Sequence, residues 1–168
     1  MSDHLSFLAA HVHDLRLADW CALLAVVVSQ RIAALAGMWS YALFTLPGTV
    51  AHEAAHYVIA FLLGGRPSFP DLLPEREKYG WRIGGVRFSS GLLRNVPIAL
   101  APIGLLPLGL WWANGHLPHL RMGTEFALQA WASGTVIGAS LPSSQDVRIA
   151  MPTLLLAAIA WFVVWKYA

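Results

Sequence analysis

The chain has 168 residues, 57% of them hydrophobic and 12% charged, with a formal net charge of +2. That length suits one domain, and a charged fraction about half the roughly 25% of soluble globular domains excludes an ordinary soluble protein and points to lipid as the solvent. A small charge with basic residues scattered along loops excludes nucleic acid as the expected partner, and a lone cysteine, Cys21, excludes a disulfide framework and a cysteine-ligated zinc site.

Residues 1–17 place His4, His11, His13, Asp14 and Arg16 among apolar positions. They read as an amphipathic interfacial helix or as a loose N-terminal segment. With no basic n-region and no small-residue cleavage site, a removable signal peptide is not expected. Five hydrophobic segments follow: A over 18–37, B over 39–64, C over 93–113, D over 124–141 and E over 149–167. Each is close to the roughly 20 apolar residues needed to cross a bilayer core, although Gln30 and Arg31 interrupt A. The expected fold is an all-α polytopic membrane protein of about five transmembrane helices, with residues 18–168 as a single membrane domain and a small β-hairpin between the second and third helices.

The hairpin is expected within the polar stretch 65–92. Gly64, Gly65 and prolines 67, 70 and 74 end helix B. Residues 79–89 then alternate around Gly84 and Gly85, with Trp81 and Ile83 before the pair and Val86 and Phe88 after it, which predicts a tight turn there. Arg66, Arg76, Lys78, Arg82, Arg87 and Arg94 lie in or beside this stretch, whereas loop 114–123 holds only Arg121. The positive-inside rule puts 65–94 on the cytoplasmic face. Segment B then runs inward, C outward, D inward and E outward, with a cytoplasmic N-terminus and an external C-terminus. Pro97, Pro102 and Pro107 predict a kinked segment C.

Segment B carries His52-Glu53-Ala54-Ala55-His56. Histidines four apart on a helix share a face and can bind one metal, and the glutamate between them can act as base for metal-bound water. Three ionisable groups in so apolar a segment are costly and need a functional reason. A catalytic zinc takes three protein ligands and keeps one open position. Asp146 is the best third ligand: it follows helix D, after Pro142, Ser143 and Ser144 unwind the chain. Its bland alternative is a helix N-cap for segment E. His116 and His119 have a metal-compatible spacing but lie in the opposite loop and read as interfacial. Asp71, Glu75 and Glu77 read as solvated loop charges, and Glu125 as a first-turn helix carboxylate.

His52-Glu-Ala-Ala-His56, followed by Ala60 and Gly64, resembles the His-Glu-x-x-His-x-x-x-Ala-x-x-x-Gly signature of site-2 proteases, the M50-type intramembrane zinc metalloproteases. The resemblance covers roughly 39–165, including the order motif helix, hairpin, return helix, helix ending at an aspartate, final helix. Ala60 and Gly64 share the His56 face and would let another helix approach closely. The family's second motif, Asn-x-x-Pro-x-x-x-x-Asp-Gly, is matched loosely: Asp146 stands four after Pro142, Ala139 replaces the asparagine and Val147 the glycine. The oxyanion-stabilising group is therefore open among Ser140, Ser143 and Asn95. The resemblance implies Zn2+ on His52, His56 and Asp146, with Glu53 as general base. It also implies membrane-spanning protein substrates presented as an added strand on the hairpin, at the cell (inner) membrane with the site toward the cytoplasm. Against it stand a non-proteolytic membrane metal-binding protein and an assembly factor.

Overall fold

The computed structural model describes residues 14–77, 80–89 and 91–167, which are mostly helical with one small antiparallel sheet. In chain order the elements are α1 (Leu17–Leu35), α2 (Met38–Phe44), α3 (Leu46–Leu62), β1 (Asp71–Glu77), β2 (Gly80–Gly85), α4 (Leu92–Ala99), α5 (Leu105–His116), α6 (Thr124–Gly138) and α7 (Ser144–Tyr167). Short 3-10 turns, Ala101–Gly104 and Leu117–His119, bracket α5. Residues 1–13, with His4, His11 and His13, lie outside the described residues.

Helix α6 is the centre of the bundle, and small residues let its neighbours come close. Gly134 and Gly138 face Val26 and Gln30 of α1, Thr135 and Ala139 face Gly48 of α3, and the Ser133 carbonyl and Ile137 face Gly109 of α5. A Cβ at Gly48 would overlap the Thr135 carbonyl, so α3 and α6 touch backbone to backbone there. Gln30, polar within an apolar helix, is buried and donates to the Gly134 carbonyl at 3.4 Å. Arg31, its neighbour, is exposed.

Among the described residues, three helical stretches are long and apolar enough to cross a membrane: Leu17–Leu35, Leu93–His119 and Ser144–Tyr167. The middle one is the kinked segment C, with Pro97 inside α4 and Pro102 in the 3-10 turn. Segments B and D give shorter helices than expected. Segment B divides at Thr45, because Pro47 has no N–H and starts a new helix at its own first turn. The resulting α3 has 17 residues. Segment D ends at Gly138 ahead of Pro142, which leaves α6 with 15 residues.

The expected positions of the hairpin turn and of the start of segment A are both corrected. The hairpin turn does not fall at Gly84–Gly85: Gly85 pairs with Asp71 at the far end of the ladder, and Glu77 pairs with Gly80 at the turn end. Pro74 sits inside β1, next to an irregularity in register between Asp71 and Pro74, which a two-stranded sheet tolerates because both strands are edges. The start of α1 does not lie on the hairpin side. Arg16 donates to the Leu117 carbonyl at 2.8 Å and pairs with the buried Asp19, pinning that end of α1 to the 3-10 turn after α5. Val26 and Gln30 meet Gly134 and Gly138, and Gly48 and His52 meet Thr135 and Ala139, so α1 and α3 both run parallel to α6. The seven-residue α2 rises only about 10 Å and cannot recross the bundle.

Candidate metal centre

His52 and His56 stand one turn apart on α3, their ring centroids 4.8 Å apart and their planes at 76°. Their Nε2 atoms are separated by 3.2 Å. Each Nδ1 meets a backbone carbonyl: His52 at 2.7 Å from Ala139 O, and His56 at 2.8 Å from Ile98 O. A carbonyl only accepts, so each Nδ1 carries the proton and donates it. In the neutral ring each Nε2 then holds a lone pair, the form that ligates a metal.

Both carbonyls are free to accept because the sequence removes their helical donors. A continuous helix would satisfy Ile98 O with the N–H of residue 102, and residue 102 is proline. Ala139 caps α6, and Ser143, four residues on, gives its N–H to Asp146 Oδ2 at 2.7 Å instead. Pro102 thus helps orient the His56 ring, and the Ser143–Asp146 contact does the same for His52.

Asp146 completes the group. Its Oδ1 is 3.2 Å from His56 Nε2 and its Oδ2 is 3.4 Å from His52 Nε2. It sits in the first turn of α7, where its N–H bonds Ser143 Oγ at 3.2 Å while its carboxylate accepts the Ser143 N–H. This reciprocal pair is a capping box with an aspartate in the glutamate's place. Ser143 is thus the N-cap and Asp146 its N3 partner, which corrects the expectation of Asp146 as the cap itself, and ligand position and capping contact are two uses of one side chain. His52, His56 and Asp146 are the one group of this kind among the described residues that can hold a metal ion. A tetrahedral ion with bonds of about 2.0–2.2 Å sets neighbouring ligand atoms about 3.3–3.6 Å apart. The two Nε2 atoms at 3.2 Å come close to that spacing, and the carboxylate faces each imidazole through a different oxygen, with one ligand atom from each residue lying within 4.8 Å of the others.

Glu53 is buried beside the histidines, and all four side chains line one cleft of about 730 Å3. One wall is β2 and the residues after it, from Trp81 to Phe88; the other is the α6–α7 junction, from Gly138 to Ile149. Gly84 stands against the Glu53 side chain, since a Cβ there would overlap Oε1 and lie 2.8 Å from Cδ.

Of the remaining sequence candidates, Ser143 lines the cleft and the others are not among its lining residues. Ser140 Oγ is held by the Ile137 carbonyl at 2.7 Å, Ser143 Oγ by the Asp146 N–H, and Asn95 lies in α4 away from the cleft lining. His116 rests on Trp112 at the end of α5, with Nδ1 2.8 Å from the Trp112 carbonyl. Asp71 caps the start of its own strand through the Leu73 N–H, and Glu125 occupies the first turn of α6. Gly64 does not serve helix approach. It ends α3 as a Schellman motif, with Gly64 N–H on Phe61 O and Gly65 N–H on Ala60 O. Sequence reasoning missed the Ile98 and Ala139 carbonyls, which the nearby prolines signalled, and Gly84, which it had used up as a turn. The chain matches no protein-family profile, and neither proteins of curated function nor solved structures yield a significant match.

Proposed function

We propose that the chain is an intramembrane zinc metalloprotease, similar to site-2 proteases, that hydrolyses peptide bonds of membrane-spanning substrates. The observation that carries this is the convergence of two Nε2 lone pairs and one carboxylate within 4.8 Å of one another, with Glu53 in the same cleft. Two imidazoles and a carboxylate suit zinc among the divalent metals. Bound zinc supplies Lewis acidity toward a water and a carbonyl oxygen.

The chain's own groups do the rest. Glu53 accepts the proton of the attacking water and returns it to the leaving amine. The Ala139 and Ile98 carbonyls hold both imidazoles in the ligating tautomer. A substrate helix must open before attack, because its amide groups are otherwise engaged. The wall built by β2 and the residues after it borders the same cleft, and an extended segment adding to β2 would lie across the ligands. In this reading α6 is one further, shortened span, while α3, which follows α1 in the same direction after the short α2, enters the membrane partway and carries the motif to its depth without a full crossing of its own. The basic stretch from Arg66 to Arg94 supports a site toward the cytoplasmic side of the cell membrane.

The test is Glu53→Gln in the full chain, co-expressed with a single-span substrate. Cleavage is expected to fall by about a hundredfold or more, the scale of a lost general base, with bound zinc retained. Equal cleavage by the variant would sink the protease reading. A wild-type protein that binds zinc but cuts no membrane substrate would favour the non-proteolytic metal-binding alternative.

A further inference from the structure

We infer that Gly84 is a positioning residue for Glu53: the missing side chain at 84 is the space in which the glutamate's carboxyl group is seated. The inference rests on the reading of Glu53 as the base. Gly84 is buried near the end of β2 with φ +77°, far from the hairpin turn. A Cβ built there overlaps Glu53 Oε1 and lies 2.8 Å from Cδ and 3.0 Å from Cγ. All three near atoms belong to this one side chain, so any substitution pushes against the carboxyl arm itself. The hairpin and the motif helix therefore form one unit, with β2 supplying the roof under which Glu53 points.

Two properties of Gly84 must be separated, its backbone conformation and its lack of volume. Gly64 has nearly the same φ, +71°, but a Cβ there meets only the Arg94 guanidinium, at 3.7 Å. Gly64→Ala thus carries the backbone cost without the crowding. Gly84→Asn does the reverse, since asparagine tolerates positive φ but brings a Cβ.

The experiment measures zinc content, KM and kcat for the full chain in detergent. Gly84→Ala and Gly84→Asn are both expected to lose kcat by about a hundredfold, the scale of a misplaced catalytic group, with zinc content and KM held. Gly64→Ala keeps most of its rate. Shortening the base restores room, so Glu53→Asp costs less in the Gly84→Ala background than in the wild type. Loss of zinc in both Gly84 variants, or the same kcat in Gly84→Ala and Gly64→Ala, overturns the inference.

A readout independent of activity uses cysteines at 53 and 84 in a Cys21→Ser background. A sulfur at the present Cγ position of residue 53 lies 3.0 Å from a Cβ at 84, within reach of a disulfide. Under mild oxidation, tryptic fragments cut between the two sites should stay joined until reduced. The pair 53 and 91 should not join, because a Cβ at Gly91 has nothing within 4 Å. Failure of the 53–84 link removes the seat whatever the activity. A link in a protein that cleaves nothing leaves the seat standing and removes the protease reading.

Discussion

Asp146 shows how one side chain serves two structures. Its carboxylate faces both imidazoles at 3.2 and 3.4 Å, and the same group closes the first turn of α7 through Ser143. The two roles separate by substitution. Asp146→Ala should lose bound zinc, because two histidines alone leave the ion under-ligated. Ser143→Ala should keep zinc and cost about 1 kcal/mol of stability, the usual worth of a helix cap. Metal analysis and thermal unfolding in detergent check both, and full zinc occupancy in Asp146→Ala would remove it from the ligand set. That Asp146 joins the two histidines was legible in the sequence, since a carboxylate at the edge of a hydrophobic segment needs a partner. The capping box was legible too, as Ser143 three residues before Asp146. That one rotamer satisfies both was decided by where α7 begins relative to α3.

At the scale of the element, the prolines matter most. Pro102 breaks segment C into α4 and α5 through a 3-10 turn and leaves the Ile98 carbonyl to His56. Pro102→Ala restores an N–H that competes for that carbonyl. Zinc affinity is expected to fall about ten- to a hundredfold, as for other losses of an orienting partner, while the helical circular dichroism is maintained. Unchanged affinity would show that the His56 ring is held by its ligand role alone. The kink was expected from proline spacing, but the direction in which the freed carbonyl points is a property of packing. The hairpin taught the converse lesson. Alternation around Gly84 and Gly85 suggested a turn there, because paired glycines are common in turns. In the fold Gly84 instead makes room for Glu53, a requirement set by another element and invisible to local pattern.

At the scale of the molecule, apolar side chains cover the outside. Leu24 and Ile32 on α1 and Ile159 and Val164 on α7 are more than half exposed, and lipid is the solvent that accepts them. Arg16 ties the start of α1 to the turn after α5, at the end opposite the hairpin. Single cysteines at Asp14 and Arg121 should therefore react with an impermeant reagent from one face of sealed vesicles, and a cysteine at Arg87 from the other. Labelling of positions 14 and 87 from the same side would restore the antiparallel pairing of segments A and B. Composition and hydropathy alone determined the membrane class, the helical content and the histidine pair with its glutamate, because these depend on residue type and on spacing within one helix. Only the tertiary structure decided how far α2 turns back, which carbonyls orient the imidazoles, and what lies over Glu53. Each of these is a contact between segments distant in the chain, set by how closely glycines let backbones approach and by which backbone groups prolines leave without a partner.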